Sequence, residues 1–539
     1  MKNLSIIIGI TLIMFACSSK KESSEASTVE TKSQLGDMGY TFDISTKAKE
    51  AFDKGFLLLH SFEYDDAREE FRVAQQADPT EVMAYWGLAM TYYKALWGLQ
   101  NVDKGRAIMA EFGNSKEERL AKISDLIEKA FWQGVEILFG EGELKERNQK
   151  YVDHLEAVYA ANPNNQEVAA FLSLGLMWAD YKNEAYMKRS SDIASKILEA
   201  NPSHPGALHY KIHANDNPKN ANVAIKTANK YAKVAPAAAH ALHIPSHIYV
   251  ALGMWKESVA SNVDSYQASL DRVKRKELDG TDRGYHSMAW LHYSYLQQGK
   301  FDEATVLLKE MISYYQDSTH SDYYLINMQN QQLIETGAWP KDLAYIDVDY
   351  SDLGLGAKSA MHFFKSKLAF ANGNKSEILN NINELGQHAE AGKLLISDDG
   401  VALCSAGPTR YAPSKTGLKR TEVVVLQMQA MWALLNEDEA AAEKHMLAAT
   451  KIESECGYDP GPPFIAYPSY EQYGDWLLSK GRAEEALAQF NTCLEGRSKR
   501  AKSLKGKLAA LKSLGQTEKA DEVEQLLSQF YQQSQLATL

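Results

Sequence analysis

A recurrence of 34 residues constrains this chain more than any other feature of its sequence. Pro202 and Pro236 stand one such interval apart, and each is followed at its seventh and eleventh residue by histidine. The first proline leads to His209 and His213, the second to His243 and His247. Ala486 and Ala520 repeat at the same interval near the other end. A fixed period of this length marks stacked supersecondary units, none of which can bury its own apolar face alone. Helical periodicity dominates, strand signals are nearly missing, and several of the few prolines sit at helix boundaries. The pattern predicts an all-α solenoid of helix-turn-helix hairpins, with length enough for one large array or about two to three domains.

Residues 48–81 form the clearest unit. Gly55 supplies a close helix approach, Ala67, Phe71 and Ala74 make a small-large-small stripe, Tyr64-Asp65-Asp66-Ala67 turns into the second helix, and Pro79 closes the unit. The next begins at Ala84-Tyr85-Trp86-Gly87-Leu88-Ala89. Gly474, Leu477, Gly481-Arg482, Ala486 and Phe490 repeat the pattern, Gly299 to Ala304 marks another hairpin turn, and residues 421–453 turn at Asn436-Glu437-Asp438. These positions resemble the tetratricopeptide signature, which implies a solenoid with a concave groove. A narrower resemblance rests on His-Pro-Gly-Ala-Leu-His at 204–209, His-Ile-Pro-Ser-His-Ile-Tyr at 243–249 and Gly-Pro-Pro-Phe at 461–464. It is to a histidine-rich subgroup of bacterial tetratricopeptide proteins, and it implies architecture without a reaction. Trp339 to Gly356, Ser397 to Thr416 and Tyr458 to Phe464 break the helical spacing and read as loop insertions or seams. The expected layout is therefore an N-terminal solenoid over 45–335, a connecting region over 336–420, and C-terminal repeats over 421–539.

The first residues read as a targeting signal. One lysine precedes a short apolar run and then Ala16-Cys17, a run too short to span a bilayer comfortably. Residues 1–17 resemble a bacterial lipoprotein signal, which implies that Cys17 carries the lipid; an ordinary signal with an incidental cysteine is the alternative. The polar stretch that follows cannot bury a core, so residues 18–44 are expected to be a flexible tether. Serine after the modified cysteine implies, by the same resemblance, the outer membrane of a Gram-negative envelope, with the membrane reached through the lipid anchor only. The net charge of −12, spread along the chain, argues against nucleic acid as a partner. Cys404, Cys456 and Cys493 do not make a framework, and at most one bridge is expected, with Cys404–Cys456 the favoured pair.

Eight of the 14 histidines fall between 204 and 292: His204, His209, His213, His240, His243, His247, His286 and His292. Each pair at i, i+4 shares a helical face. The tetratricopeptide register implies that His209, His213, His243 and His247 line the groove on adjacent first helices. His240 lies one turn before His243, and His286 opens the next first helix. Neutral imidazole is a ligand for zinc, copper and nickel, and six such residues would serve even a pair of ions. Pro245 falls inside the second pair and can kink its helix. Two other readings remain: a histidine-lined groove for an anionic or peptide ligand, and imidazoles that are solvated or stacked on Tyr210, Tyr249 and Trp290.

No His-Glu-x-x-His, Cys-x-x-Cys, phosphate loop or nucleophile elbow accompanies the cluster. Asp216, Glu257, Asp264 and Asp282 read as solvated helix-face charges, as do Lys499-Arg500, Lys502, Lys505 and Lys507. Trp86 and Met90 follow Pro79 at the same offsets as the histidine pairs. They are candidate groove anchors for a peptide, with core packing the equal alternative. The function expected is a lipid-anchored scaffold whose groove binds a protein or small ligand, with a histidine cluster for a transition metal. A metal-dependent enzyme and a metal-free protein scaffold are the alternatives.

Overall fold

One packing rule builds both ends of the solenoid. Phe71 is wedged between Gly55 and Gly87, where an added Cβ would stand 3.1 and 2.4 Å from its ring. Phe490 is wedged between Gly474 and Gly506, where the corresponding gaps are 2.8 and 2.3 Å. The two trios match residue for residue: glycine on a first helix, phenylalanine on the second, glycine on the next first helix. Only glycine admits the ring at that depth, and close packing of this kind leaves no slack for a methyl group.

The computed structural model describes residues 34–94, 99–317, 321–396, 412–532 and 535. The signal, Cys17 and most of the expected tether lie outside them, as does Cys404; Cys456 and Cys493 carry free thiols. The described chain is an all-α tetratricopeptide-type solenoid with irregular loop insertions. Its only sheet among the described residues is the two-residue antiparallel pairing of Tyr93–Lys94 with Leu99–Gln100. Consecutive helices form hairpins, and first helices also meet one another. Helix Pro205–Ala214 packs on Gln166–Ala179 before it and Pro245–Ala251 after it. The connecting region carries a hairpin of its own, Leu355–Ala371 with Lys375–Lys393, packed on Lys415–Leu435. None of the described helices is long and apolar enough to cross a membrane.

The superhelix returns on itself at the first hairpin, Lys49–His60 and Tyr64–Ala77. Arg272 and Lys276, in helix Trp255–Lys276, bond Asp66 at 2.9 Å each, and Lys276 also reaches Glu69 at 2.7 Å. Helix Lys49–His60 packs directly on Pro205–Ala214. The turn at residues 61–63 is thereby pressed onto the helices that carry the histidine pairs.

Three expectations are corrected. Residues 34–44 are no tether: Leu35, Phe42 and Ile44 are buried, Gly39 N–H donates to Glu167 at 2.7 Å, and Asp37 N–H donates to the Ser203 carbonyl at 3.0 Å. Trp86 and Met90 are no groove anchors, because every residue of helix Val82–Met90 is buried. Helix Leu126–Leu138 packs on that helix, and Trp86 stacks on Phe56 at 5.6 Å and meets Phe131 edge-on at 5.2 Å. Arg500 is no solvated charge. It is wholly buried, donating to Glu471 (2.8 Å) and the Tyr293 hydroxyl (2.9 Å) and pairing with Glu335 (2.6 Å). This buried pairing ties the C-terminal repeats to helix Tyr285–Gln297. Two further bonds hold the C-terminal repeats: Trp255 Nε1 donates to the Lys499 carbonyl at 2.9 Å, and Gln532 N–H to the Gln298 carbonyl at 2.8 Å.

Candidate metal centre

The motif at 204–209 reads as a set of local devices. His204 caps helix Pro205–Ala214 by accepting the Ala207 N–H at Nδ1, 3.3 Å away, and Pro205 begins the helix where a missing N–H costs nothing. Gly206 leaves room for His60, whose Nδ1 would lie 2.3 Å from a Cβ there. His60 ends helix Lys49–His60, and its carbonyl accepts the Nδ1–H of His209 at 2.8 Å. Phe62, held in the left-handed region at φ 58°, lays its ring on His209 at 4.2 Å and on His240 at 5.8 Å. Glu63 accepts the backbone N–H of His240 at 2.8 Å.

The second pair is held as firmly. The helix is interrupted at Ile244, just before Pro245, yet both halves keep helical geometry, and the His243 and His247 rings stand 5.1 Å apart. Asn262 donates its amide to the Ser258 carbonyl at 2.8 Å, which turns its oxygen to His243 Nδ1 at 2.7 Å. His247 Nδ1 bonds Asp216 at 2.5 Å. Asp216 is therefore buried and oriented, not solvated as its sequence position suggested, whereas Glu257 and Asp264 are exposed and Asp282 pairs with Arg272. Trp290 packs on His243 at 4.9 Å and on His247 at 4.4 Å, and Gly461 of the Gly-Pro-Pro-Phe loop abuts Trp290 so closely that a Cβ would fall 2.2 Å from the indole.

Three proton positions follow from these bonds. A carbonyl, an amide oxygen and a carboxylate can only accept, so His209, His243 and His247 each carry a proton on Nδ1, and in neutral His209 and His243 the lone pair lies on Nε2. The Nε2 atoms of His209, His213 and His243 are buried with no hydrogen-bond partner among the described residues. Burial, and then repulsion from neighbouring imidazoles, holds His209, His213, His240 and His243 well below the ordinary histidine range and brings His286 to about 3. These five are neutral bases near pH 7. His209, His213 and His240 bring one nitrogen each within 4.8 Å of one another, and so do His243, His247 and His286. All six residues expected from the sequence are thus gathered. His213, His240, His247 and His286 line a cavity of about 1300 Å³ with Asp216, Trp178, Tyr181 and Tyr458. His286 is exposed, with its ring on the wall of that cavity.

Sequence reasoning missed a neighbouring array. His60 and His204 both turn Nε2 to Glu167, at 2.8 and 3.4 Å, and all three side chains are wholly inaccessible. Tyr210 bonds His60 Nδ1 at 2.8 Å, and Gly39 takes the other Glu167 oxygen. Burial would raise the Glu167 carboxyl, but His204 and His60 hold it well below the usual carboxylate range. The one signal in the sequence was Gly206, beside a helix-starting proline where a close approach needs a missing side chain.

No protein-family model matches the chain, and neither does any curated protein. Among solved structures, the TPR domain of P58(IPK) is similar over 88% of this chain and 99% of its own, at 12% identity and a TM-score of 0.22. A human IFIT1 dimer with m7Gppp-AAAA is similar over 88% and 96%, at 13% identity and a TM-score of 0.35. Naa15/Naa10 bound to HypK-THB matches over 89% and 69%, at 13% identity and a TM-score of 0.22. The repeat assignment stands on the glycine–phenylalanine packing of this chain itself.

Proposed function

We propose that this chain is a tetratricopeptide-type binding protein whose histidine cluster holds a transition metal at the wall of a ligand cavity. The observation that carries the reading is the pinned set of tautomers. His209, His243 and His247 are each locked at Nδ1 by an acceptor, which is how metal-ligating histidines are oriented. Buried nitrogens without partners cost about 1–3 kcal/mol each, a cost that coordination removes. A neutral nitrogen set without thiolate suits copper, zinc or nickel. The N-terminal sequence supports attachment through lipid at Cys17 to the outer membrane, and the groove supports a protein or small-molecule partner.

Elemental analysis of the untagged full chain tests the metal. Near-stoichiometric zinc, copper or nickel is expected, lost in His243→Ala/His247→Ala. A wild-type chain that carries none and takes up none on titration would leave a metal-free scaffold. The cavity favours a second reading, a metal-dependent enzyme, because four of the ligands face open space with Asp216 and Tyr458 beside them. Azide added to the copper-loaded chain should then shift its visible spectrum; an unchanged spectrum would mean closed coordination and a binding role. For the anchor, Cys17→Ser should move the protein from the membrane to the soluble fraction.

A further inference from the structure

The six histidines divide into two complete sets. His209, His213 and His240 form one, and His243, His247 and His286 form the other, with no residue shared. Each set takes an i, i+4 pair from one first helix and a third ring from the next helix along. His240 completes the first set from just before the second pair, and His286 completes the second from the first turn of helix Tyr285–Gln297. The sets abut. The His213 and His247 rings lie 4.9 Å apart, and those of His240 and His243 lie 6.1 Å apart. At the seam, Asp216 bonds His247 through one oxygen, the other is buried with no hydrogen-bond partner among the described residues, and the carboxylate brings an oxygen within 4.8 Å of nitrogens of both His213 and His247.

One ion cannot satisfy this arrangement. A tetrahedral ion takes at most four nitrogens and leaves two of the six imidazoles unused. Two ions use all six, three apiece, and each keeps an open position. The rings that face the cavity come from both sets: His213 and His240 from one, His247 and His286 from the other. Both open positions therefore face the same space. Asp216 is the one carboxylate grouped with these imidazoles among the described residues, too little charge to balance two divalent ions. Building on the metal reading above, we propose that the cluster is a paired centre: two adjacent transition-metal ions, each on three imidazoles, with a small anion bound between them from the cavity. Copper fits best, because an all-imidazole set offers neither the carboxylates that hard ions prefer nor a thiolate.

Titrating the metal-free full chain with Cu(II) separates the outcomes. Bound copper is counted after desalting, and its electron spin resonance is recorded at each step. Two equivalents are expected, with a signal that appears over the first equivalent and collapses over the second, as neighbouring spins couple. His240→Ala and His286→Ala, one from each set, should each bind one equivalent and keep its full signal. The His286 ring lines the cavity and takes part in no hydrogen bond among the described residues, and matching thermal melts check that both variants fold. One equivalent in the wild type would overturn the pair while leaving a mononuclear site. Two equivalents with undiminished signal would overturn adjacency. No binding at all would overturn both this proposal and the metal reading on which it rests.

Discussion

Two histidine arrays lie side by side in this molecule and accommodate buried imidazole in opposite ways. In the first, His60 and His204 converge on Glu167, with Tyr210 on His60, Ala207 on His204 and Gly39 on the carboxylate, so the cluster is closed around an anion, with His204 Nε2 3.4 Å from the carboxylate. In the second, six imidazoles converge on one another around a cavity, and three of their Nε2 atoms are buried with nothing to bond. His209 joins the two, because its Nδ1 proton goes to the carbonyl of His60. Both arrays bring imidazoles into contact with one another. They differ in the carboxylate: where Glu167 sits among the rings the array is structural, and where Asp216 stands behind one ring the nitrogens are left for a ligand. An unpartnered nitrogen alone is no criterion. His362 repeats the bond of His243 by meeting Asn381 at 2.9 Å, and its Nε2 is also bare, yet it joins no converging set.

The largest effect should come from breaking the closed array. Glu167→Ala leaves two buried imidazoles without their anion and should cost about 3–5 kcal/mol in urea unfolding, with residues 34–44 becoming protease-sensitive as Gly39 loses its acceptor. The sign of its pH dependence is set by the lowered carboxyl. Stability from Glu167 is full above the unfolded-state carboxylate range and fades as the pH falls below it. A small change in unfolding free energy would mean that the array is not the anchor its burial implies.

Metal comes next. Zinc or copper at about 100 times Kd should stabilise the wild type by about 2.7 kcal/mol. That gain should vanish in His213→Ala/His286→Ala, which leaves the closed array untouched. An equal gain in that variant would place the metal elsewhere. Asn262→Ala is a finer probe, since it frees His243 to rotate without removing a ligand; affinity should fall about 10- to 100-fold, with stability lowered by about 1–3 kcal/mol for the His243 Nδ1–H that loses its acceptor. Unaltered affinity would remove the orienting role given to Asn262.

The smallest effect concerns a carboxylate with no imidazole beside it. Burial, then Glu81, Asp125 and Asp43, raise Glu128 to about 7. Its sign is opposite to that of Glu167. The neutral form costs nothing at low pH, and stability is lost as the pH rises through about 7. Glu128→Gln should therefore gain about 1 kcal/mol at pH 8, discounted for partial solvent screening, and nothing at pH 4. A gain equal at both pH values would mean that the acid was never displaced.

Much of this was legible in the sequence, because a repeat fixes which residues are equivalent. The 34-residue interval placed His209 with His243 and His213 with His247, and helical spacing drew in His240 and His286. What escaped came from the superhelical return, which no local spacing encodes. His60 and Phe62 reach His209 only because the first hairpin folds back onto the helix at 205–214. Arg500 is buried only because the last repeats close on helix Tyr285–Gln297. Asp216 looked like a surface charge because its partner lies a full repeat away at His247. Trp86 misled for the same reason, since register alone does not reveal that the helix at 126–138 packs against it.

Anomalous scattering from crystals of the metal-loaded full chain, recorded at the metal edge, tests the central contrast most directly. Anomalous density among the Nε2 atoms of His209, His213, His240, His243, His247 and His286, with none beside Glu167, is the result predicted. Density at Glu167, or none within the six-histidine cluster of a chain that holds stoichiometric metal, would contradict it.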